Sequence, residues 1–328
     1  LAYASTVAAG FFSYFVCRWS YPAQLDATSG INPVEAAERT PFDPYFSIDM
    51  PPLMSVTSAL LLAFVLGLGL AGGKNSGLKG ALVEFRAVVS ALIGRAIVPL
   101  LPLYIFGIFL KMGVEGQVAG ILSLFLKIIL LIFVMHIALL LFQYGIAGLV
   151  ARKNPLKMLR TMWPAYLTAL GTQSSAATIP VTLASTIRNG VDAELAGFVV
   201  PLNATIHLSG SILKIVACAM ALAYMSGMPA GTGLYAGFIF MLGITMVAAP
   251  GVPGGAIMAA LGLLQSMLGF DENLQGLMIA LYIAMDSFGT AGNVTGDGAL
   301  AVIVDRIHAK GRRTRNASPE RSETENNS

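Results

Sequence analysis

The chain has 328 residues, 56% of them apolar and only 11% charged, and its mean hydropathy of +0.74 lies far outside the range of water-soluble domains. A single-domain soluble enzyme is excluded. So is a nucleic-acid-binding protein, because the formal net charge is only +3 and the basic residues are scattered over loops with no aromatic residues interleaved. Cys17 and Cys218 each sit in an apolar run, which gives neither a disulfide framework nor a metal spacing.

The first apolar segment, Leu1 to Val16, has no basic region or small-residue cleavage site and reads as part of a membrane helix, in a chain that lacks an N-terminal part. A polar loop, Arg18 to Asp49, follows; its acids Asp26, Glu35, Glu38, Asp43 and Asp49 outnumber Arg18 and Arg39, so it is expected outside. Leu53 to Ala71, Val88 to Leu110, Gly120 to Val150, Ala196 to Met225 and Leu274 to Val304 each meet the length of about 20 residues that a membrane-spanning helix needs. Lys74, Lys79, Arg86, Arg152, Lys153, Lys157, Arg160 and the cluster from Arg306 to Arg315 mark the cytoplasmic side.

Two stretches must enter and leave on one side: Pro155 to Gly190, basic at both ends, and Gly231 to Asn273, with uncharged and acidic ends. Each is broken midway, by Gly171 to Pro180 in the first and by Pro250 to Gly255 in the second. Such backbone persists at membrane depth only when it is buried in protein or lines a cavity, and paired interrupted segments point to a transporter's site. Kinks in packed helices are the plainer reading. Two re-entrant hairpins of opposite orientation are expected, followed by a polar tail from Ala309 that is expected to be disordered in the cytoplasm.

In the last helix Asp286, Thr290, Asn293 and Asp297 recur at offsets of four, seven and eleven, which places them on one stripe. Two carboxylates inside a membrane need partners, such as a cation, a ligand ammonium or donors from other helices. The run Asn203 to Ser211 puts several polar side chains and a glycine inside an apolar span, the pattern of an unwound helix with free carbonyls. His207, Ser211 and Lys214 fall at offsets of four and seven, on one helical face. His207 is either a hydrogen-bonding residue or a proton carrier. Lys214 must lie near a carboxylate, lose its proton or snorkel. Arg95, Lys127 and His136 lie outside any polar stripe and read as structural.

On Ser174 to Pro180, Pro201 to Ser211, Gly251 to Met258 and Asn293 to Asp297 the sequence, from about Leu1 to Ile307, resembles the dicarboxylate and amino acid:cation symporters, the family of the glutamate transporters and the archaeal aspartate transporter. The resemblance implies an all-α membrane protein of glutamate-transporter-like fold, with two oppositely oriented re-entrant hairpins and broken seventh and eighth helices. It implies that 1–20 is what remains of the third transmembrane helix, 21–52 an external loop, 53–112 scaffold helices and 113–307 the transport domain, with a tail at 308–328. Within that domain it places hairpin 1 at about 155–187, the seventh helix at about 192–226, hairpin 2 at about 232–269 and the eighth helix at about 274–307.

The same resemblance implies that Ser174, Ser175, Val252 and Gly254 at the hairpin tips, with Ser211, Lys214, Asp286, Gly289, Thr290 and Asn293, surround the substrate. Ser175 and Val252 would hold its carboxylate and Asp286 its ammonium. Asp297 with carbonyls of Asn203, His207 and Asn293 would form one sodium site, with Ser209 near a further one; Thr205, Met246, Val247 and Ala249 would supply another. Gly289 stands where acidic-substrate members carry an arginine, and Ser209 replaces an ion-binding carboxylate. A neutral or small polar amino acid is therefore favoured as substrate, the alternative being an acidic amino acid or dicarboxylate held by Lys214. No enzyme activity and no cofactor are expected beyond sodium, with protons as possible coupling ions. The expected partners are a small-molecule substrate, the lipid bilayer of the plasma (inner) membrane and two further copies in a homotrimer when full length, with the C-terminus cytoplasmic. An intramembrane aspartyl protease is the distant rival, but eleven residues of helix separate Asp286 from Asp297 by about 16 Å, too far to share a proton. A serine protease on Ser175 and His207 lacks an oriented acid. A channel would conduct continuously, and the hairpins suit gates better than a pore.

Overall fold

The computed structural model describes residues 1–25, 56–71, 76–92, short pieces between 95 and 110, 118–249, 251 and 253–316. All regular structure among them is helical. In chain order the helices are α1 (Ala2–Gln24), α2 (Val56–Ala71), α3 (Ser76–Leu92), α4 (Val118–Ala151), α5 (Pro155–Thr161), α6 (Trp163–Thr172) and α7 (Ser175–Arg188). Then come α8 (Ala193–Ile206), α9 (Ser209–Met225), α10 (Thr232–Ala248), α11 (Gly255–Leu268), α12 (Glu272–Ala284) and α13 (Asp286–Asn316).

The core forms around α9, whose residues from Ile212 to Ala223 are all buried. A helix that is apolar all round must be covered on every side. α1 lies along it: Ser13 donates to the Leu213 carbonyl at 2.8 Å and the Tyr21 hydroxyl to the Ala217 carbonyl at 2.9 Å. Small residues let α1 approach α10 closely, since a Cβ at Gly10 would lie 2.8 Å from Ile239 and one at Gly243 2.8 Å from Val7. Cys17 and Cys218 are free and buried in this core.

Among the described residues, two helical segments are long and apolar enough to cross a membrane, Leu122–Ala151 and Ala193–Met225, and the bent pair α12–α13 is a third if it counts as one span. Outward-facing Leu126, Leu130, Val134, Phe142 and Leu149 on α4 are exposed, as are Leu61, Val65 and Leu68 on α2 and Val83, Phe85 and Val88 on α3. Apolar faces of this extent suit a hydrocarbon solvent.

α5, α6 and α7 make a closed helical hairpin. Asn154 caps α5 by accepting from the Lys157 N–H, and at the base Asn189 donates to the Met158 carbonyl at 3.1 Å while Lys153 donates to that of Asn189 at 2.7 Å. Its tip turns on Gln173 at φ 51°, a left-handed conformation rare for a side-chain-bearing residue. α10 and α11 form the second hairpin, whose tip ends on Gly254 at φ 72°, where glycine removes the Cβ penalty.

Several boundaries differ from the sequence expectation. α1 runs through Arg18 to Gln24, beyond residue 20 and across Pro22. The seventh span is two helices broken at His207–Leu208, so His207 does not share a helical face with Ser211 and Lys214; the offsets of four and seven bridge a break. The eighth span bends by 61° at Met285. Its second half continues to Asn316, so residues 308–316 are helical where a disordered tail was expected. Residues 26–52 of the expected external loop, much of the scaffold, the tip residues Pro250 and Val252, and the tail beyond Asn316 lie outside the described residues.

Candidate functional site

The two hairpin tips meet. Ser174 caps α7 by accepting from the Ala177 N–H at 3.2 Å, and its hydroxyl donates to the Gly251 carbonyl of the second tip at 2.8 Å. Ser175 opens α7 beside this contact, half-buried. The second tip reaches the last helix, because the Gly254 N–H donates to Asp286 Oδ2 at 2.7 Å.

Asp286 also takes the buried Lys214. The lysine Nζ lies 3.2 Å from Asp286 Oδ1 and 3.2 Å from the Met285 carbonyl, and 3.7 Å from the centroid of the Tyr282 ring. Two oxygens and a π-face satisfy the three donors of an ammonium. Gly289 makes room for it: a Cβ there would collide with Lys214 Cε and Nζ.

One turn further, Thr290 is buried, and Asn293 caps α9. Its Oδ1 accepts from the N–H groups of Gly210 at 2.7 Å and Ser211 at 3.2 Å, and its Nδ2 donates to Ser211 Oγ at 2.9 Å. These are orphan donors of a helix that begins in the middle of a span. Gly210 is required at this contact, since a Cβ there would come within 2.5 Å of the Gly289 carbonyl oxygen.

Asp297 lies at the other end of the stripe, 1% exposed, and its Oδ1 accepts from His207 Nδ1 at 2.8 Å. In that tautomer His207 Nε2 accepts from the Ser5 hydroxyl at 3.0 Å, and Gln143 Nε2 donates to both Ser5 Oγ and Ser209 Oγ at 3.2 Å. A directed chain of hydrogen bonds thus runs Gln143, Ser5, His207, Asp297. Asn203 is buried beside it, its carbonyl accepting from the His207 N–H at 2.8 Å. The remaining expected ion ligands are more spread: Thr205 and Val247 have exposed side chains, while Met246 and Ala249 close the end of α10, where the Met246 carbonyl accepts from the Ala249 N–H at 3.2 Å.

The structure therefore brings together Ser174, Gly254, Lys214, Asp286 and Gly289 in one chain of contacts, and His207, Ser209, Asn293 and Asp297 in another along the same stripe. Sequence reasoning missed Ser5, Thr6, Gln143 and Tyr282. It also set His136 aside, whose Nε2 lies 3.1 Å from the Gly210 carbonyl. The signal was present: His136 and Gln143 are seven apart on the largely apolar α4, and Ser5–Thr6 is a polar pair in α1. Both face the break, where the Thr6 hydroxyl accepts from the Leu208 N–H at 3.2 Å.

A profile of the sodium:dicarboxylate symporter family matches residues 1–307. The chain belongs to that family. Human excitatory amino acid transporter 2 is 27% identical over 252 residues, covering 74% of this chain and 43% of that protein. An excitatory amino acid transporter of Caenorhabditis elegans is 26% identical over 269 residues, 79% of this chain and 52% of its own length. Mouse excitatory amino acid transporter 3 reaches 32% over 163 residues, covering 49% and 31%. The chain spans about half the length, or less, of the curated relatives it matches. The sodium:dicarboxylate symporter family is a family of membrane transporters and not of enzymes. Asp286 and Asp297 have separate partners, Lys214 for the first and His207 for the second.

Proposed function

We propose that this chain is part of a secondary active symporter that couples inward movement of a small organic acid, an amino acid or a dicarboxylate, to sodium flow by alternating access. One observation carries this reading: the two hairpin tips meet, the second reaches Asp286 beside the break between α12 and α13, and the break between α8 and α9 meets the same stripe of α13 at Asp297. Broken helices and hairpin tips along one stripe supply helix N-termini to an anionic substrate and carbonyls to a cation. In this reading the hairpins are re-entrant and act as gates, α2 and α3 belong to a scaffold, and the full-length protein is a homotrimer of the plasma membrane with a cytoplasmic C-terminus. Ser175 and the second tip face the substrate carboxylate, with Thr290 nearby, and Asp297 faces the cation.

The substrate preference shifts relative to the sequence expectation. Gly289 by itself favoured a neutral amino acid, but Lys214 fills the space above it and keeps a cation there. That supports the second reading, an acidic substrate.

Full-length protein in proteoliposomes tests the coupling. Uptake of a labelled acid is expected to require an inward sodium gradient, to stop when choline replaces sodium, and to fall at least about tenfold in Asp297→Asn, where the buried anion is lost. Sodium-driven uptake unchanged by Asp297→Asn would remove the ion role of that residue.

A further inference from the structure

We propose that Lys214 is a tethered stand-in for a substrate amine, so that the pocket selects carboxylates lacking an α-amino group and rejects the matching amino acids. The inference rests on the symporter reading above and names the substrate class of the same site.

Asp286 is the acid expected to receive a substrate ammonium, yet both of its oxygens already face protein donors. Oδ1 is 3.2 Å from Lys214 Nζ, and Oδ2 accepts the Gly254 N–H at 2.7 Å. The ammonium that meets Asp286 is built into the chain. It arrives from the middle of α9, is 0% exposed, and has its remaining donors directed at the Met285 carbonyl and the Tyr282 ring. Gly289 provides the volume it occupies, since any side chain there would collide with its Cε and Nζ.

The charge balance follows. Lys214 and Asp286 sum to zero, so a ligand bringing an ammonium meets a carboxylate that is already neutralised and a like charge held close to it. An arriving carboxylate needs no free acid and meets helix N-termini instead. The N-termini of α7, α9 and α11 all open onto this locus, through Ser174–Gly251, Gly210–Asn293 and Gly254–Asp286. Helix N-termini favour anions. With Asp286 already paired to Lys214 and to the Gly254 N–H, the site is arranged for an acid without an amine. A lysine with a structural role alone would stabilise the helix pair α9–α13 and leave discrimination between such ligands untouched.

The test is equilibrium binding to the purified full-length protein in detergent at fixed sodium, using pairs that share a carbon skeleton: succinate and L-aspartate, glutarate and L-glutamate, propionate and L-alanine. In the pair that binds, the amine-free acid is expected to bind at least about tenfold more tightly. Lys214→Met frees Asp286 and is expected to shift the ratio towards the amino acid. Lys214→Met/Asp286→Asn, which leaves no unpaired buried charge, is expected to bring it near one, and it carries the test if the single variant does not fold. An amino acid that binds the unmodified protein as tightly as its partner acid overturns the proposal. So does a ratio unmoved in either variant, and so does the absence of binding by all six acids. Because no gradient is applied, a failure of sodium-driven uptake would show itself separately and would bear on the coupling, not on this selectivity.

Discussion

The two buried carboxylates of α13 stand on the same helical stripe but are satisfied by different kinds of partner. Asp286 binds a permanent ammonium from α9 and a main-chain N–H from a hairpin tip. Asp297 binds an imidazole at the break between α8 and α9, backed by the neutral donors Ser5 and Gln143. The Asp286 end is therefore tied to the second hairpin tip, which the proposed function reads as a gate. The Asp297 end is tied to a helix break and to α1. One stripe thus carries two separately satisfied carboxylates eleven residues apart, which the proposed function assigns to gating and to coupling.

The largest expected effect breaks the first end. Asp286→Ala strands the Lys214 ammonium in the core and frees the second tip, so transport is expected to fall by about 100-fold or more, with a loss of about 3–5 kcal/mol in stability, as for a severed buried ion pair. Thermal unfolding in detergent reads the stability. The cycle of Asp286→Asn, Lys214→Met and the double variant Lys214→Met/Asp286→Asn isolates the pair, and the double is expected to recover most of that loss.

A gentler pair of substitutions separates the two ends. Alanine at Gly289 collides with Lys214, whereas alanine at Gly296 comes within 2.8 Å of both Gln143 Oε1 and His207 Cε1. Overpacking of this kind costs about 1–3 kcal/mol, so both proteins are expected to fold. Gly289→Ala is expected to change substrate affinity at constant sodium dependence, and Gly296→Ala to change sodium dependence at constant substrate preference. Uptake measured across a matrix of substrate and sodium concentrations distinguishes them; identical responses would erase the division between gate and coupling site.

Much of this architecture was legible in the sequence because the bilayer imposes a severe rule: a polar residue or a glycine-proline run inside an apolar span needs a reason. That rule located both hairpins, the break near His207 and the stripe from Asp286 to Asp297. Periodicity failed where the helix itself failed. His207, Ser211 and Lys214 are spaced as one face, yet His207 ends one helix and turns to Asp297 while Lys214 leaves the next helix towards Asp286. Gln143 and Ser5 were harder to read for another reason: each is one of few polar residues in a long apolar run, and only tertiary packing reveals that they converge, 138 residues apart in the chain. The kink at Met285 carries no proline; its carbonyl, which opens α13 by accepting from the Phe288 and Gly289 N–H groups, also takes Lys214, a partner 71 residues earlier that no local pattern could announce.

The smallest expected effect concerns the first tip, which the Asp286 end touches only through the second. The Ser174 hydroxyl both caps α7 and bridges to Gly251, so Ser174→Ala removes an N-cap worth about 1 kcal/mol together with the Ser174–Gly251 hydrogen bond that joins the tips. Global stability is expected to change little, because the base of the hairpin stays closed by Asn189 and Lys153. Opening at the tip is expected to rise, seen as faster amide exchange over residues 173–178 with no change over the base at 186–190. A glycine carbonyl on the facing tip has no other role in holding α7, so Ser174→Thr, which keeps the hydroxyl, is expected to restore protection. If exchange rises equally at tip and base, the contact stabilises the whole hairpin and does not act as a latch between two gates.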